Sequence, residues 1–308
     1  MKQRWPFILL ACALTLGGCA SIDYPNYECG KIWGAERVVK DGDFHPKYLT
    51  ASKQGYIYAL AGALILQKDN KEGREHYFAP LDRLHWIDGL YVDDKATGFE
   101  VTTFELFENN KSQFPSEVVI AFAGSNDTKD WIQNLSPLST KQYQQAVEYV
   151  KRVKGIPRYA SIPLKVTGYS LGGALAVHVT KNPETSNLVK EAWAFNPSPK
   201  IYADGSINDK IWLAAHRGEA LSILRSAPFR ILPGVSRIGA TDEHTVDDFN
   251  LIKTNKIYGH YRWVLPIQML HVADFALLKD DGSVTVTTEP FEILKRTKFA
   301  GARPCSEI

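Results

Sequence analysis

The chain of 308 residues has four cysteines, two methionines and no apolar run long enough to span a bilayer. Its charge is close to balanced, with 36 lysines and arginines against 34 aspartates and glutamates. There is no long basic tract, so no nucleic-acid partner is expected. Internal repeats, low-complexity tracts and domain linkers are missing too. No metal-ligand cluster, glycine-rich phosphate loop or dinucleotide fingerprint is found, so neither a metal nor a cofactor is expected. What remains is an ordinary globular composition, 44% apolar and 23% charged, with room for one large core.

The N-terminus reads as a targeting segment. Lys2 and Arg4 form a basic start, residues 7–16 an apolar stretch, and Gly17-Gly18 a small-residue cleavage site. Leu16-Gly17-Gly18-Cys19 resembles a bacterial lipoprotein signal. That resemblance implies lipidation of Cys19 and a membrane partner. With Ala20 in the next position it implies the outer membrane of a Gram-negative envelope. A secreted chain cleaved near Ala20 is the alternative. The expected organisation is a signal peptide over residues 1–18, a polar tether over 19–45 and a catalytic domain over 46–308. Loss of Lys2 and Arg4 leaves 34 basic against 34 acidic residues. Cys12 leaves with the signal. Cys29 and Cys305 remain as a pair, and an oxidising compartment predicts a disulfide between them.

Residues 46–67 show helical spacing through Tyr48, Tyr56, Leu60 and Leu64. Residues 86–94 and 98–108 read as extended, and Val118-Val119-Ile120-Ala121-Phe122 as a strand covered on both faces. Residues 140–154 form an amphipathic helix with Tyr143, Val147 and Val150 on one side. Strands are expected at 163–167, 190–195, 220–224 and 282–287. Strands alternating with helices predict an α/β domain with a mostly parallel sheet.

The most specific feature is Gly168-Tyr169-Ser170-Leu171-Gly172 between a short β-branched strand and a helix of small residues. A nucleophilic serine needs a turn sharp enough to force it to positive φ. Flanking glycines let the strands and helix pass without a Cβ clash. Ser170 would then project above a helix N-terminus, where free N–H groups favour a developing oxyanion.

With Ala123-Gly124-Ser125-Asn126-Asp127 and Asp130-Trp131-Ile132-Gln133-Asn134-Leu135 ahead of it, the Ser170 motif resembles the class 3 lipase family. The resemblance covers roughly residues 50 to 275. It implies an α/β-hydrolase fold with helices on both faces of the sheet, and hydrolysis of carboxylic esters of lipids. It also implies two oxyanion donors, from Ser125 and the backbone N–H of Leu171. Ala123 and Asn134 depart from the usual arginine and aspartate of the family. Trp131, Ile132, Leu135 and Leu138 fall where relatives carry a mobile cover; ordinary helix-face burial suits them equally well.

A hydrolase triad runs serine, acid, histidine along the chain. His260, in a loop before an apolar helical stretch, matches the family's histidine, with His244 and His271 as alternatives. His178 lies in the helix after Ser170, and His216 ahead of the acid strand. Glu219 sits where the family has its acid; Asp242 is the main alternative, with Asp204, Asp209, Asp247 and Asp248 also in range. The resulting reading is an acyl-enzyme on Ser170 acting on lipid esters. A thioesterase or small-ester esterase, or a catalytically silent lipid-binding lipoprotein, stays open.

Overall fold

Period-two alternation builds the sheet. The computed structural model describes residues 37, 44–67, 76–124, 140–252, 254–282 and 286–299. The signal segment, Cys19, Cys29, Ser125, residues 131–138 and Cys305 lie outside the described residues. Seven strands form one sheet in the order β2 (Leu84–Asp94), β3 (Phe99–Leu106), β4 (Glu117–Phe122), β5 (Leu164–Tyr169), β6 (Val189–Phe195), β7 (Ile211–His216) and β8 (Thr245–Phe249). The first two neighbour pairs are antiparallel, and β4 to β8 run parallel. A separate antiparallel pair joins β1 (His76–Tyr77) to β9 (Lys298–Phe299).

The central strands alternate between two apolar faces. Val119 and Ala121 of β4 enter one core with Phe195, Trp212 and helices α1 (Pro46–Leu64) and α4 (Val264–Asp281). Val118, Ile120 and Phe122 enter the other, against α2 (Thr140–Lys154) and α3 (Leu171–Lys181). A last helix, α5 (Glu289–Arg296), is capped by the Thr288 side chain. Tyr143, Val147 and Val150 are buried on one side of α2, as their spacing predicts. On the α1 face, Trp193 stacks on Trp212 at 4.7 Å and on Tyr58 at 5.5 Å. Large aromatic rings thus fill the gap between sheet and helix.

One expected strand does not form. Residues 220–224 are a series of turns: Ser222 N donates to Glu219 O, and Arg225 N to Leu221 O. The strand of this unit is β7, just upstream, so His216 ends a strand and Glu219 follows it in a turn. Residues 283–285 of the other expected strand lie outside the described residues; Gly282 ahead of them adopts left-handed φ of 70° and closes α4, and residues 286–288 lead into α5. The long helix α4 and the edge strand β8 complete the architecture. Among the described residues, no helix is long and apolar enough to cross a membrane.

At its first turn α3 meets the sheet backbone to backbone. A Cβ on Gly172 would lie 2.1 Å from the Phe122 carbonyl oxygen, and one on Gly168 would lie 2.4 Å from the Gly172 carbonyl carbon. Both obstacles are backbone and cannot rotate away. Gly172→Ala should therefore destabilise the protein by about 3 kcal/mol or more, through forced separation of β4 from α3. Urea unfolding measures this, and an unchanged midpoint would show that the contact has room.

Candidate active site

Ser170 follows β5 and precedes α3 with φ 53° and ψ −116°, the positive φ that its motif requires. A non-glycine residue held there stores on the order of 1–3 kcal/mol of strain. Backbone hydrogen bonds hold it: Ser170 N donates to Phe195 O at 3.0 Å, while Ser170 O accepts from Ala174 N at 3.1 Å and Ser198 N at 2.9 Å. Its side chain is only partly buried. Leu171 is the first residue of α3, where amide N–H groups have no acceptor within the helix. Gly124 runs alongside: a Cβ there would lie 3.3 Å from Ser170 Cβ. Ser125 comes next in the chain, outside the described residues.

His260 lies in a short 3-10 turn, Tyr258–His260, just ahead of α4. The fold brings it to Glu219, 41 positions away: Nδ1 is 2.5 Å from Oε2. Both side chains are buried. The other Glu219 oxygen pairs with Arg225 Nη2, and Leu221 N donates to Oε2 at 2.9 Å. Burial alone pushes the Glu219 pKa up, but Arg225 and His260 outweigh it and the net shift is downward. The carboxylate therefore stays ionised and can only accept. Nδ1 of His260 must then carry its proton, which leaves Nε2 as a proton acceptor.

The serine and histidine elements are joined through Asn196, which follows β6 and is fully buried at φ 41°. Its Nδ2 donates to Gly259 O at 3.2 Å, and its Oδ1 accepts from His216 N at 2.8 Å. Phe195, the residue before it, accepts from Ser170 N. Arg225 adds a second tie, donating from Nη1 to Pro197 O at 2.8 Å. Sequence reasoning missed Asn196, Arg225 and His216 in these roles. The available signals were weak: an asparagine-proline step at a strand end, and one arginine in an otherwise apolar run.

The other candidates lie elsewhere. His178 meets Ile201 O at 3.0 Å, His244 stacks on Trp212, and His271 is buried within α4. Asp242, Asp247, Asp248, Asp204 and Asp209 are exposed. His216 receives a hydrogen bond from Gln268 Nε2 on Nδ1 at 3.1 Å. Burial pushes its pKa down from 6.5 to about 4, with Glu219 and Gln268 offsetting only part of the shift. Among the described residues no group of histidine, cysteine, aspartate and glutamate could hold a metal ion.

Residues 78–198 match the family model of the Tle-like phospholipase domain. The extracellular phospholipase A1 of Serratia liquefaciens is 36% identical over 93 residues, covering 29% of this chain. The chain spans about a quarter of the length of this curated relative, 26%. The mono- and diacylglycerol lipase of Aspergillus oryzae overlays with a TM-score of 0.42 at 15% identity, covering 73% of this chain and 99% of that one. A triacylglycerol lipase of Penicillium expansum gives 0.41 at 12% identity, covering 67% and 83%.

Two measurements check this geometry. Arg225→Met removes the cation from a buried carboxylate and should cost about 3 kcal/mol in chemical unfolding; a loss under about 1 kcal/mol would mean the pair is solvated. His216 binds its proton more weakly when folded, so unfolding takes one up between pH 6.5 and about 4, and stability falls as pH drops through that window. His216→Gln should flatten that part of the melting-temperature profile; an unchanged slope would assign the acid sensitivity to other groups. Strand order, the parallel β4 to β8 run and the strained serine turn give the chain the architecture of an α/β-hydrolase, and over residues 78–198 it is similar to the Tle-like phospholipase domain.

Proposed function

We propose that the chain is a serine hydrolase that cleaves carboxylic esters of lipids, phospholipid among them, through an acyl-enzyme on Ser170. The observation that carries the reading is the buried Glu219–His260 pair, tied through Asn196 to the strand end that holds a strained, accessible serine. His260 Nε2 takes the Ser170 Oγ proton as Oγ attacks the ester carbonyl. Glu219 keeps the imidazole in the Nδ1–H tautomer and stabilises its cation. The tetrahedral oxyanion receives hydrogen bonds from the Leu171 N–H and from Ser125. His260 then returns the proton to the departing alkoxide, and a water activated by the same Nε2 hydrolyses the acyl-Ser170 ester.

The similarity to a Tle-like phospholipase domain and to a Serratia phospholipase A1 supports lipid ester as the substrate class. Cys19, acylated after removal of residues 1–18, would anchor the enzyme to the outer membrane, with residues 19–45 as a tether to the domain beginning at 46. A disulfide between Cys29 and Cys305 would tie tether to tail.

A fluorophosphonate probe should label Ser170 in the folded protein. Ser170→Ala and His260→Ala should each abolish turnover of phospholipid, triacylglycerol and short esters assayed in parallel. Glu219→Gln should lower kcat on the order of 10³-fold or more. Wild-type turnover in Glu219→Gln would move the acid elsewhere; no labelling of Ser170 would favour a silent binding module. Cys19→Ala should abolish incorporation of labelled fatty acid into the protein; undiminished labelling would place the acyl group elsewhere.

A further inference from the structure

The largest exposed apolar side chains among the described residues are unevenly distributed. They are Phe114, Ile207, Ile223, Ile231, Leu232, Ile257 and Val286. Four of these seven lie on the two segments that also carry Glu219 and His260. Residues 219–234 follow β7 and residues 250–263 follow β8, so both leave the sheet at the end where parallel β5 delivers Ser170. Hydrogen bonds fix them there. Ala220 N donates to Lys256 O at 3.0 Å, joining the two segments, and Tyr202 N donates to Gly234 O at 3.0 Å, joining the first to the chain after β6. Phe114, by contrast, lies in the connection from β3 into the start of β4, at the opposite end of the sheet.

Charge on this rim has one sign. Glu219 is buried against Arg225 and His260. Every other charged residue described in 219–234 and 250–263 is a cation: Arg230, Lys256 and Arg262. The chain as a whole is nearly neutral, so this excess is local. Ile231, 87% exposed, is next to Arg230, and Ile257 is next to Lys256. Paired apolar and cationic side chains match a lipid interface, where the aliphatic group enters the headgroup boundary and the cation meets phosphate. Tyr261 and Trp263, half-buried and 4.8 Å apart beside His260, are residue types favoured at that boundary.

We infer that the rim formed by residues 219–234, 250–252 and 254–263 docks on the surface of an anionic phospholipid bilayer and so presents the Ser170 mouth to it. The inference rests on the lipid-ester reading and narrows its substrate to negatively charged bilayers. Docking is independent of the Cys19 anchor: acylation would hold the chain near a membrane, while the rim sets which face meets the lipid.

The test uses the full chain carrying Cys19→Ser, which bears no acyl group, and Ser170→Ala, which leaves the lipid intact. It measures cosedimentation with vesicles of equal parts phosphatidylglycerol and phosphatidylcholine, against phosphatidylcholine alone. Binding is expected to the mixed vesicles, and to fall when ionic strength rises from about 0.1 M to about 1 M. Ile231→Asp and Arg230→Glu should each weaken it about tenfold or more, while Phe114→Asp should leave it unchanged. Unchanged melting temperatures would exclude loss of fold as the cause. Equal binding to both vesicles, wild-type binding by both rim variants, or an equal loss in Phe114→Asp would overturn the docking face. A dimer that Ile231→Asp dissociates, with no dependence on lipid, would assign the rim to a second copy of this chain. Turnover of a soluble short-chain ester by the chain with Ser170 intact reports on the hydrolase separately: if it is absent while vesicle binding persists, the catalytic reading fails and the docking stands.

Discussion

The approach of α3 to β4 and β5 governs the rest of the molecule. Gly172 comes so close to Phe122 O, and Gly168 so close to Gly172, that a methyl group at either position would overlap backbone. That approach forces the turn at Ser170 to be sharp, and the sharp turn holds the serine at positive φ. Two cores on opposite faces of the sheet clamp the contact from outside, so the strain at Ser170 is opposed by burial over many residues.

A second constraint is electrostatic. Glu219 is fully buried, and a lone buried carboxylate would take up a proton to avoid the desolvation cost. Arg225, His260 and the Leu221 N–H keep it ionised instead. The two ends of Arg225's guanidinium reach different parts of the fold, the carboxylate and Pro197 O, so the acid is fixed relative to the strand end beside the serine. Asn196 does the same for the histidine turn through Gly259 O. The site is thus assembled from the loops after β5, β6, β7 and β8, each anchored to its neighbour by a hydrogen bond. The segments after β7 and β8 also carry the exposed Ile223, Ile231 and Ile257 and the cations Arg230, Lys256 and Arg262.

Local sequence determined more of the fold than of the site. Helical spacing in residues 46–67 and 140–154, the covered strand of 118–122 and the glycine-flanked serine are short-range signals, and each element formed where its pattern lies. Ala220 to Leu224 and Ile211 to His216 are both apolar runs a few residues apart, and composition could not separate them. The decision came from partners: Ile211 to His216 finds β6 and β8 to pair with, while Glu219 takes the N–H of Leu221 for its own carboxylate and bends the next residues into turns.

By itself the sequence determined the serine, its turn and the α/β class, because a sharp strand-to-helix turn is written in adjacent residues. Chain order and the family resemblance also put His260 and Glu219 first among the candidates, with Asp242 and the other aspartates as alternatives to Glu219. Only tertiary structure brought Nδ1 of His260 to Glu219 across 41 positions, buried the carboxylate with Arg225, and left Asp242 and the other aspartates on the surface. The physical reason is that ionisation, tautomer and pairing of a buried group depend on what surrounds it in space, and those neighbours come from segments far apart in the chain.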